Sequence, residues 1–96
     1  MGRALAVAIG VASIAAAVVA SAEPPAGAAA CSGCHPASTR VTSPVPRLAG
    51  LDRAAIVRAM QDFRSGTRAS TVMDRIAKGF TDAEIQAIAA WYATQR

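Results

Sequence analysis

The feature that most constrains this chain is the run Cys31-Ser32-Gly33-Cys34-His35. Two cysteines separated by two residues and followed at once by histidine are typical of a c-type haem attachment site. The spacing has a chemical reason, because two thiols must reach two vinyl groups on one edge of a porphyrin while the imidazole lies beneath the ring. His35 is the only histidine of the chain. We therefore expect one haem c, attached through Cys31 and Cys34, with His35 as an iron ligand.

The same five residues are compatible with two other kinds of site. A redox disulfide between Cys31 and Cys34 is expected within the strand-helix-strand pattern of thioredoxins, and this sequence has no such pattern. A structural zinc site is normally closed by four protein ligands, whereas two cysteines and His35 leave no convincing fourth ligand. Haem attachment explains the motif better than either alternative.

The N-terminal segment has the pattern of a secretory signal peptide. Arg3 provides a short positive region, residues 4–20 are uncharged and mostly apolar, and Ala20-Ser21-Ala22 matches the small-x-small cleavage pattern. We expect residues 1–22 to be a signal peptide that exports the chain to the periplasm, without stable membrane insertion. The alternative is an uncleaved anchor, for which residues 4–20 lie at the lower limit of a membrane span.

Residues 23–96 are enough for one small domain. A domain of this size usually needs a disulfide, a metal or another staple, and a covalently held porphyrin is such a staple. Its four aromatic residues are Phe63, Phe80, Trp91 and Tyr92. The formal net charge of the whole chain is a modest +4, with no basic run, so we expect no nucleic-acid partner.

Hydrophobic periodicity and capping signals predict an all-α domain of three to four helices, since no segment alternates as a half-buried strand does. Helices are expected at residues 25–34, from Asp52 to about Arg64, and for a turn or two after Met73. A capping box at residues 81–84 opens the last helix. The predicted buried positions are Ile56, Met60, Phe63, Ile85, Ile88, Ala89 and Tyr92.

Two methionines compete for the second axial position on the iron. Met60 lies in the middle of a helix on an apolar stripe, where packing is the ordinary explanation. Met73 follows the polar loop at residues 70–72, and a loop can bring a thioether to the far face of a porphyrin. Because His/Met ligation is usual in c-type cytochromes, we expect Met73 to be the ligand, with core packing as the alternative.

The stretch Pro46-Arg47-Leu48-Ala49-Gly50 lies between the cysteine motif and Met73. A proline carbonyl in this loop can accept a hydrogen bond from the second ring nitrogen of His35, which would fix the ring and raise its basicity. An ordinary turn is the alternative. Two strong axial ligands leave no open position on the iron, so the expected work is electron transfer rather than catalysis.

The order of these motifs resembles that of the class I c-type cytochromes over residues 27–94. Residues 63–68 (Phe-Arg-Ser-Gly-Thr-Arg) and 70–80, continued by 81–85, are similar to the cytochrome subunit of flavocytochrome c sulfide dehydrogenase. The resemblance implies thioethers at Cys31 and Cys34, and axial bonds from His35 and Met73. It also implies an N-terminal helix that crosses the C-terminal one, with Gly27 or an alanine against Trp91 or Tyr92.

The same resemblance implies a partner. A flavoprotein subunit with FAD would oxidise sulfide and pass electrons singly to this haem, and a periplasmic cytochrome or oxidase would take them onward. The chain itself would not be an enzyme. Two other functions remain open: a free-standing electron carrier, and a haem sensor or enzyme in which Met73 leaves the iron.

Four basic residues flank the predicted methionine loop: Arg64, Arg68, Arg75 and Lys78. We expect them to contact an acidic partner surface or the haem propionates. A solvated face, whose exposed ion pairs contribute little, is the alternative.

Overall fold

A computed structural model describes residues 1–2, 9–13, 15 and 23–96. Most of the predicted signal peptide therefore lies outside the described residues. The described part contains four helices: α1 (Ala28–Cys31), α2 (Arg53–Ser65), α3 (Met73–Ala77) and α4 (Asp82–Thr94). It has no strand, and the predicted all-α class is confirmed. None of these helices is long and apolar enough to cross a membrane.

Helix α1 is much shorter than the predicted helix at residues 25–34. Gly27 precedes it with a φ of 86°, in the left-handed region, so the chain cannot continue a right-handed helix through this position. After Cys31 the N–H of Ser32 donates to the Ala29 carbonyl at 3.3 Å, so the helix ends in a tighter turn of the 3₁₀ type. A single turn of α-helix therefore leads into the cysteine motif.

Helix α2 begins and ends close to where its capping signals predict. The Asp52 carboxylate accepts a hydrogen bond from the Ala55 N–H at 3.1 Å and caps the N-terminus. At the other end Gly66 adopts a φ of 81°, and its N–H donates to the Phe63 carbonyl at 3.3 Å. A left-handed glycine of this kind stops the helix.

The short helix α3 and the final helix α4 also begin at local hydrogen bonds. Before α3 the Ser70 hydroxyl accepts from the Asp74 N–H at 2.9 Å and donates to the Asp74 carboxylate at 3.2 Å. Thr81 and Glu84 form the predicted capping box, in which each side chain accepts from the backbone N–H of the other residue. These bonds satisfy N–H groups that the first turn of a helix leaves without partners.

Helix α2 packs against both α3 and α4. The buried side chains in the described part are few and carry no aromatic ring: Ala28, Ile56, Ala77, Ile85, Ile88 and Ala89. The predicted buried positions Met60, Phe63 and Tyr92 are only half-buried. The remaining exposed large apolar side chains of residues 23–96 are Val41, Leu51, Val72 and Ile76. The core is thus small, and the domain leaves apolar surface that a bound apolar group would cover.

The segment before the cysteines meets α4, through one of the pairings expected. A Cβ on Gly27 would lie 2.6 Å from Cε1 of Phe80 and 3.5 Å from Cδ1 of Ile88, so Phe80 and Ile88 are the neighbours of this glycine. Of the two residues expected to meet an α4 aromatic, Gly27 has Phe80 and Ile88 as its nearest neighbours instead, and the alanine is the one that does so. An alanine does meet Tyr92, since the Tyr92 hydroxyl donates to the Ala28 carbonyl at 2.5 Å.

Candidate haem site

The cysteine motif folds into one tight turn after α1. The backbone N–H groups of Cys34 and His35 both donate to the Cys31 carbonyl, at 3.2 and 2.9 Å. Cys31 is half-buried and Cys34 is exposed, and both are free thiols rather than a disulfide. The turn therefore brings two thiols and one imidazole together within a single short segment.

The imidazole of His35 is oriented by the loop that the sequence indicates. Its Nδ1 atom lies 2.6 Å from the Pro46 carbonyl oxygen. Because a carbonyl can only accept, the proton is on Nδ1 and the lone pair of a neutral ring is on Nε2. The predicted His35–Pro46 hydrogen bond is confirmed, and it leaves Nε2 as the nitrogen that can bind a metal.

The loop that carries Pro46 is itself held at two places. The Arg47 guanidinium donates through Nε to the Ala37 carbonyl at 2.8 Å, which joins the loop to the segment after His35. The Gly50 N–H donates to the Tyr92 carbonyl at 2.9 Å, which joins it to α4. These bonds fix the position of the Pro46 carbonyl and hence the direction of the imidazole.

Tyr92 is the residue of this site whose role was not expected from the sequence. Burial raises the pKa of the Cys31 thiol above its ordinary value, while hydrogen bonds to its own backbone and to the Tyr92 hydroxyl lower it. Burial also raises the pKa of Tyr92, as does the neighbouring Cys31. The signal was available, because a tyrosine on a buried helical stripe needs a partner for its hydroxyl.

A cavity of about 270 Å³ opens beside His35. Its walls include Ala28, Leu48, Trp91 and Tyr92, with Gln95 among the polar groups at its border. The cavity is mostly apolar, and it adjoins both the cysteine motif and the loop that orients the imidazole. Among the described residues no group of three or more His, Cys, Asp or Glu side chains is placed to hold a metal, so the zinc alternative gains no support.

The residues present fit a covalently attached haem. Two free thiols lie one turn apart, the imidazole beside them presents Nε2, and the domain leaves much of its apolar surface uncovered. A porphyrin is large and apolar and would add packing surface that the small core lacks. Cys31, Cys34 and His35 are the residues that would hold it.

The two methionines lie on two different helices that follow the cysteine motif in the sequence. Met73 is the first residue of α3, follows the loop tied by Ser70 and Asp74, and is half-buried. Met60 is in α2 and is also half-buried. Because the two side chains are buried to a similar degree, burial alone does not identify which of them is the iron ligand.

The four basic residues near α3 differ in what they contact. Arg64 donates to the Asp82 carboxylate and to the Phe80 carbonyl, both at 2.7 Å, so it joins α2 to the start of α4. The Arg68 guanidinium stacks on the Phe63 ring, 4.9 Å from its centroid. The other two, Arg75 and Lys78, are exposed and make no side-chain hydrogen bond or ion pair with another described residue.

No family model matches the chain, but three curated proteins do. The cytochrome subunit of sulfide dehydrogenase from Chlorobaculum tepidum is 42% identical over 62 residues, which are 65% of this chain and 56% of that protein. The chain is therefore similar to a protein that is a cytochrome by name. Cytochrome c-552 of Acidithiobacillus ferridurans is 37% identical over 65 residues, covering 68% of this chain and 28% of the relative.

The third relative is the thiosulfate dehydrogenase electron acceptor of Stutzerimonas stutzeri, 40% identical over 65 residues, which are 66% of this chain and 30% of that protein. The predicted resemblance to c-type cytochromes is confirmed. The chain spans about half the length of the first relative and under a third of the other two. All three matches are cytochromes or electron acceptors by name.

Proposed function

We propose that this chain is a periplasmic c-type cytochrome that carries single electrons on one haem c, bound through Cys31 and Cys34 with His35 and Met73 as axial ligands. We propose further that it receives these electrons from the FAD-containing subunit of a sulfide-oxidising dehydrogenase. The observation that carries the proposal is the 2.6 Å hydrogen bond between His35 Nδ1 and the Pro46 carbonyl beside two free thiols. The relatives named as a cytochrome subunit of sulfide dehydrogenase and as cytochrome c-552 support the cytochrome part of this proposal.

The residues of the chain divide this work between them. When bound, haem c supplies a one-electron iron couple. The Pro46 carbonyl holds the His35 ring by its Nδ1–H and makes Nε2 a stronger electron donor. Met73, on the separate helix α3, would supply the thioether that completes a His/Met pair and raises the reduction potential. If His35 and Met73 both bound the iron, no coordination position would be left for a substrate.

Purification of the native protein tests the proposed partner. Haem and flavin absorbance are followed together through size-exclusion chromatography of a periplasmic extract. We expect both to elute at a constant ratio, and the haem to become reduced when sulfide is added. Haem that elutes alone in a small protein would favour the free-standing carrier and would contradict the flavoprotein partner.

A pair of methionine variants tests the axial ligand. Met73→Ala should remove the sixth ligand and allow ferric protein to bind cyanide or imidazole rapidly, whereas wild type should bind slowly and weakly. Met60→Ala is the matched control, and it should lower the free energy of unfolding without opening the iron. The opposite pattern would assign the ligand to Met60, and fast binding by wild type would favour a sensor or enzyme.

Charge reversal at α3 tests where the partner docks. Arg75 and Lys78 are exposed and without a described partner, so the double variant Arg75→Glu/Lys78→Glu should slow reduction by the partner on the order of tenfold at low ionic strength. The defect should shrink as salt is added. Arg40→Glu, an exposed reversal on the loop after His35, serves as control. Equal rates for wild type and the α3 variant at low salt would exclude this docking role.

A second candidate function is an electron acceptor for the oxidation of another sulfur compound. It is favoured by the 40% identity to a protein named as a thiosulfate dehydrogenase electron acceptor. The two candidates differ in the reductant. Haem reduction that depends on thiosulfate and its dehydrogenase, with none on sulfide and the flavoprotein, would select the second candidate.

A further inference from the structure

The two segments that form the haem site are both tied to one residue of α4. The Tyr92 hydroxyl donates to the Ala28 carbonyl in α1 at 2.5 Å, between residues 64 positions apart in the sequence. Its backbone carbonyl accepts from the Gly50 N–H at 2.9 Å, and Gly50 ends the loop that orients His35. One residue therefore holds both the segment that carries Cys31 and the segment that directs the imidazole.

We infer that Tyr92 is a positioning residue for covalent haem attachment at Cys31, an inference that rests on the proposed function. Helix α1 has only four residues and no side-chain cap. Its own hydrogen bonds are too few to keep such a helix in one direction, because a helix of one turn is only marginally stable in water. The hydroxyl bond to Ala28, three residues before Cys31, supplies a tertiary anchor.

The place where the anchor is attached favours one cysteine. Ala28 and Cys31 lie in the same single turn of α1, so the bond from the Tyr92 hydroxyl to the Ala28 carbonyl holds the backbone that carries the Cys31 thiol. Cys34 is exposed and lies in the turn after α1, three residues further along the chain from the anchored Ala28 carbonyl than Cys31. Loss of the hydroxyl should therefore affect attachment at Cys31 more than at Cys34.

Attachment needs defined geometry but no oxidant. The Cys31 sulfur forms a bond to the inner carbon of a haem vinyl group, while the S–H bond and the vinyl π bond break. The thiol hydrogen goes to the outer vinyl carbon, and the oxidation state of the iron does not change. Because the thiol and the vinyl group must meet in one orientation, a thiol held in a fixed position reacts much faster than a mobile one.

The test removes the hydroxyl and keeps the ring. Tyr92→Phe and wild type are expressed with a c-type haem maturation system, denatured and alkylated with iodoacetamide, and free thiols are located by peptide mass. We expect Cys31 to be alkylated several-fold more in the variant, with Cys34 protected as in wild type. The reduced pyridine haemochrome should shift to longer wavelength, since an unreacted vinyl group extends the conjugation of the porphyrin.

A matched control removes a similar bond from the same segment. The Ser32 hydroxyl donates to the Ala29 carbonyl at 2.6 Å, within α1 and its flank. Ser32→Ala therefore loses a side-chain hydrogen bond near Cys31 without loosening α1 from α4, and both thiols should stay protected. Equal Cys31 alkylation in Ser32→Ala and Tyr92→Phe would overturn the inference.

The remaining outcomes separate this inference from the proposed function. Both thiols protected in Tyr92→Phe would overturn the positioning role, and so would equal exposure of Cys31 and Cys34, which indicates a general folding defect. Two free thiols in wild type would instead contradict the proposed function itself.

A second measurement works even if Tyr92→Phe does not accumulate. Tyr92 is the only tyrosine of the chain, so 3-fluorotyrosine labels this position alone and keeps the hydroxyl. In the haem-loaded protein, the fluorine resonance should move in Cys31→Ala and stay in place in Cys34→Ala. Equal movement in both variants would overturn the selective coupling of Tyr92 to the turn of α1 that carries Cys31.

Discussion

Replacing Gly27 by alanine should destabilise the domain by about 2–5 kcal/mol, through two effects that the structure separates. Gly27 has a φ of 86°, and an alanine held in the left-handed region costs about 1–2 kcal/mol. The new Cβ would also lie 2.6 Å from Cε1 of Phe80, so the ring must shift. Overpacking of this kind typically costs about 1–3 kcal/mol.

A second glycine provides the matched control. Gly66 has a similar φ of 81°, but no atom lies within 4 Å of a Cβ added there. Gly66→Ala should therefore show the backbone cost alone, about 1–2 kcal/mol. The free energies of unfolding are measured in urea by far-ultraviolet circular dichroism, on haem-loaded protein. Phe80→Leu should remove most of the extra cost of Gly27→Ala. Equal losses for the two glycine variants would refute the reasoning.

Three further outcomes follow from contacts at helix ends. Arg64→Ala should lower the free energy of unfolding in urea more than Asp82→Ala does. The ion pair between them is exposed at Asp82 (77%) and contributes at most about 1 kcal/mol, whereas only Arg64→Ala also removes the hydrogen bond to the Phe80 carbonyl. Equal losses would contradict this. Hydrogen bonds from the Thr81 backbone and side chain lower the pKa of Glu84 below its ordinary 4.5. The stabilising contribution of the Glu84 carboxylate is therefore fully present above its ordinary pKa and is lost as the pH falls through the lower pKa of the folded state. Glu84→Gln should flatten the acid side of the curve of Tm against pH. Asp52→Ala should lose about 1 kcal/mol in thermal or urea unfolding, since it removes the N-cap of α2, and no loss would mean that water replaces the cap.

Features that depend on neighbouring residues were predictable from the sequence. Asp52 and Gly66 bound α2 because the capping rules act within one turn, and Thr81 with Glu84 begins α4 for the same reason. The His35–Pro46 bond spans 11 positions. It was predicted because the proline stretch lies between the cysteine motif and Met73.

Features that depend on how distant segments meet were not predictable. Phe80 rather than an α4 aromatic covers Gly27, because the length of α1 and the turn before α4 decide which ring reaches the glycine. Arg64 was expected on a docking surface, yet a carboxylate and a carbonyl at the start of α4 engage it instead. The Tyr92 hydroxyl donates to the Ala28 carbonyl, which lies 64 positions away in the sequence. Periodicity identifies a buried face but does not name its neighbour.

Covalent haem at the cysteine motif is the claim on which the account depends. The most direct measurement is the haem absorbance and mass of the protein purified under denaturing conditions after expression with a c-type maturation system. The account predicts one haem per chain that stays with the polypeptide in denaturant, and no alkylatable thiol at Cys31 or Cys34. Protein without haem absorbance and with both thiols free would contradict it.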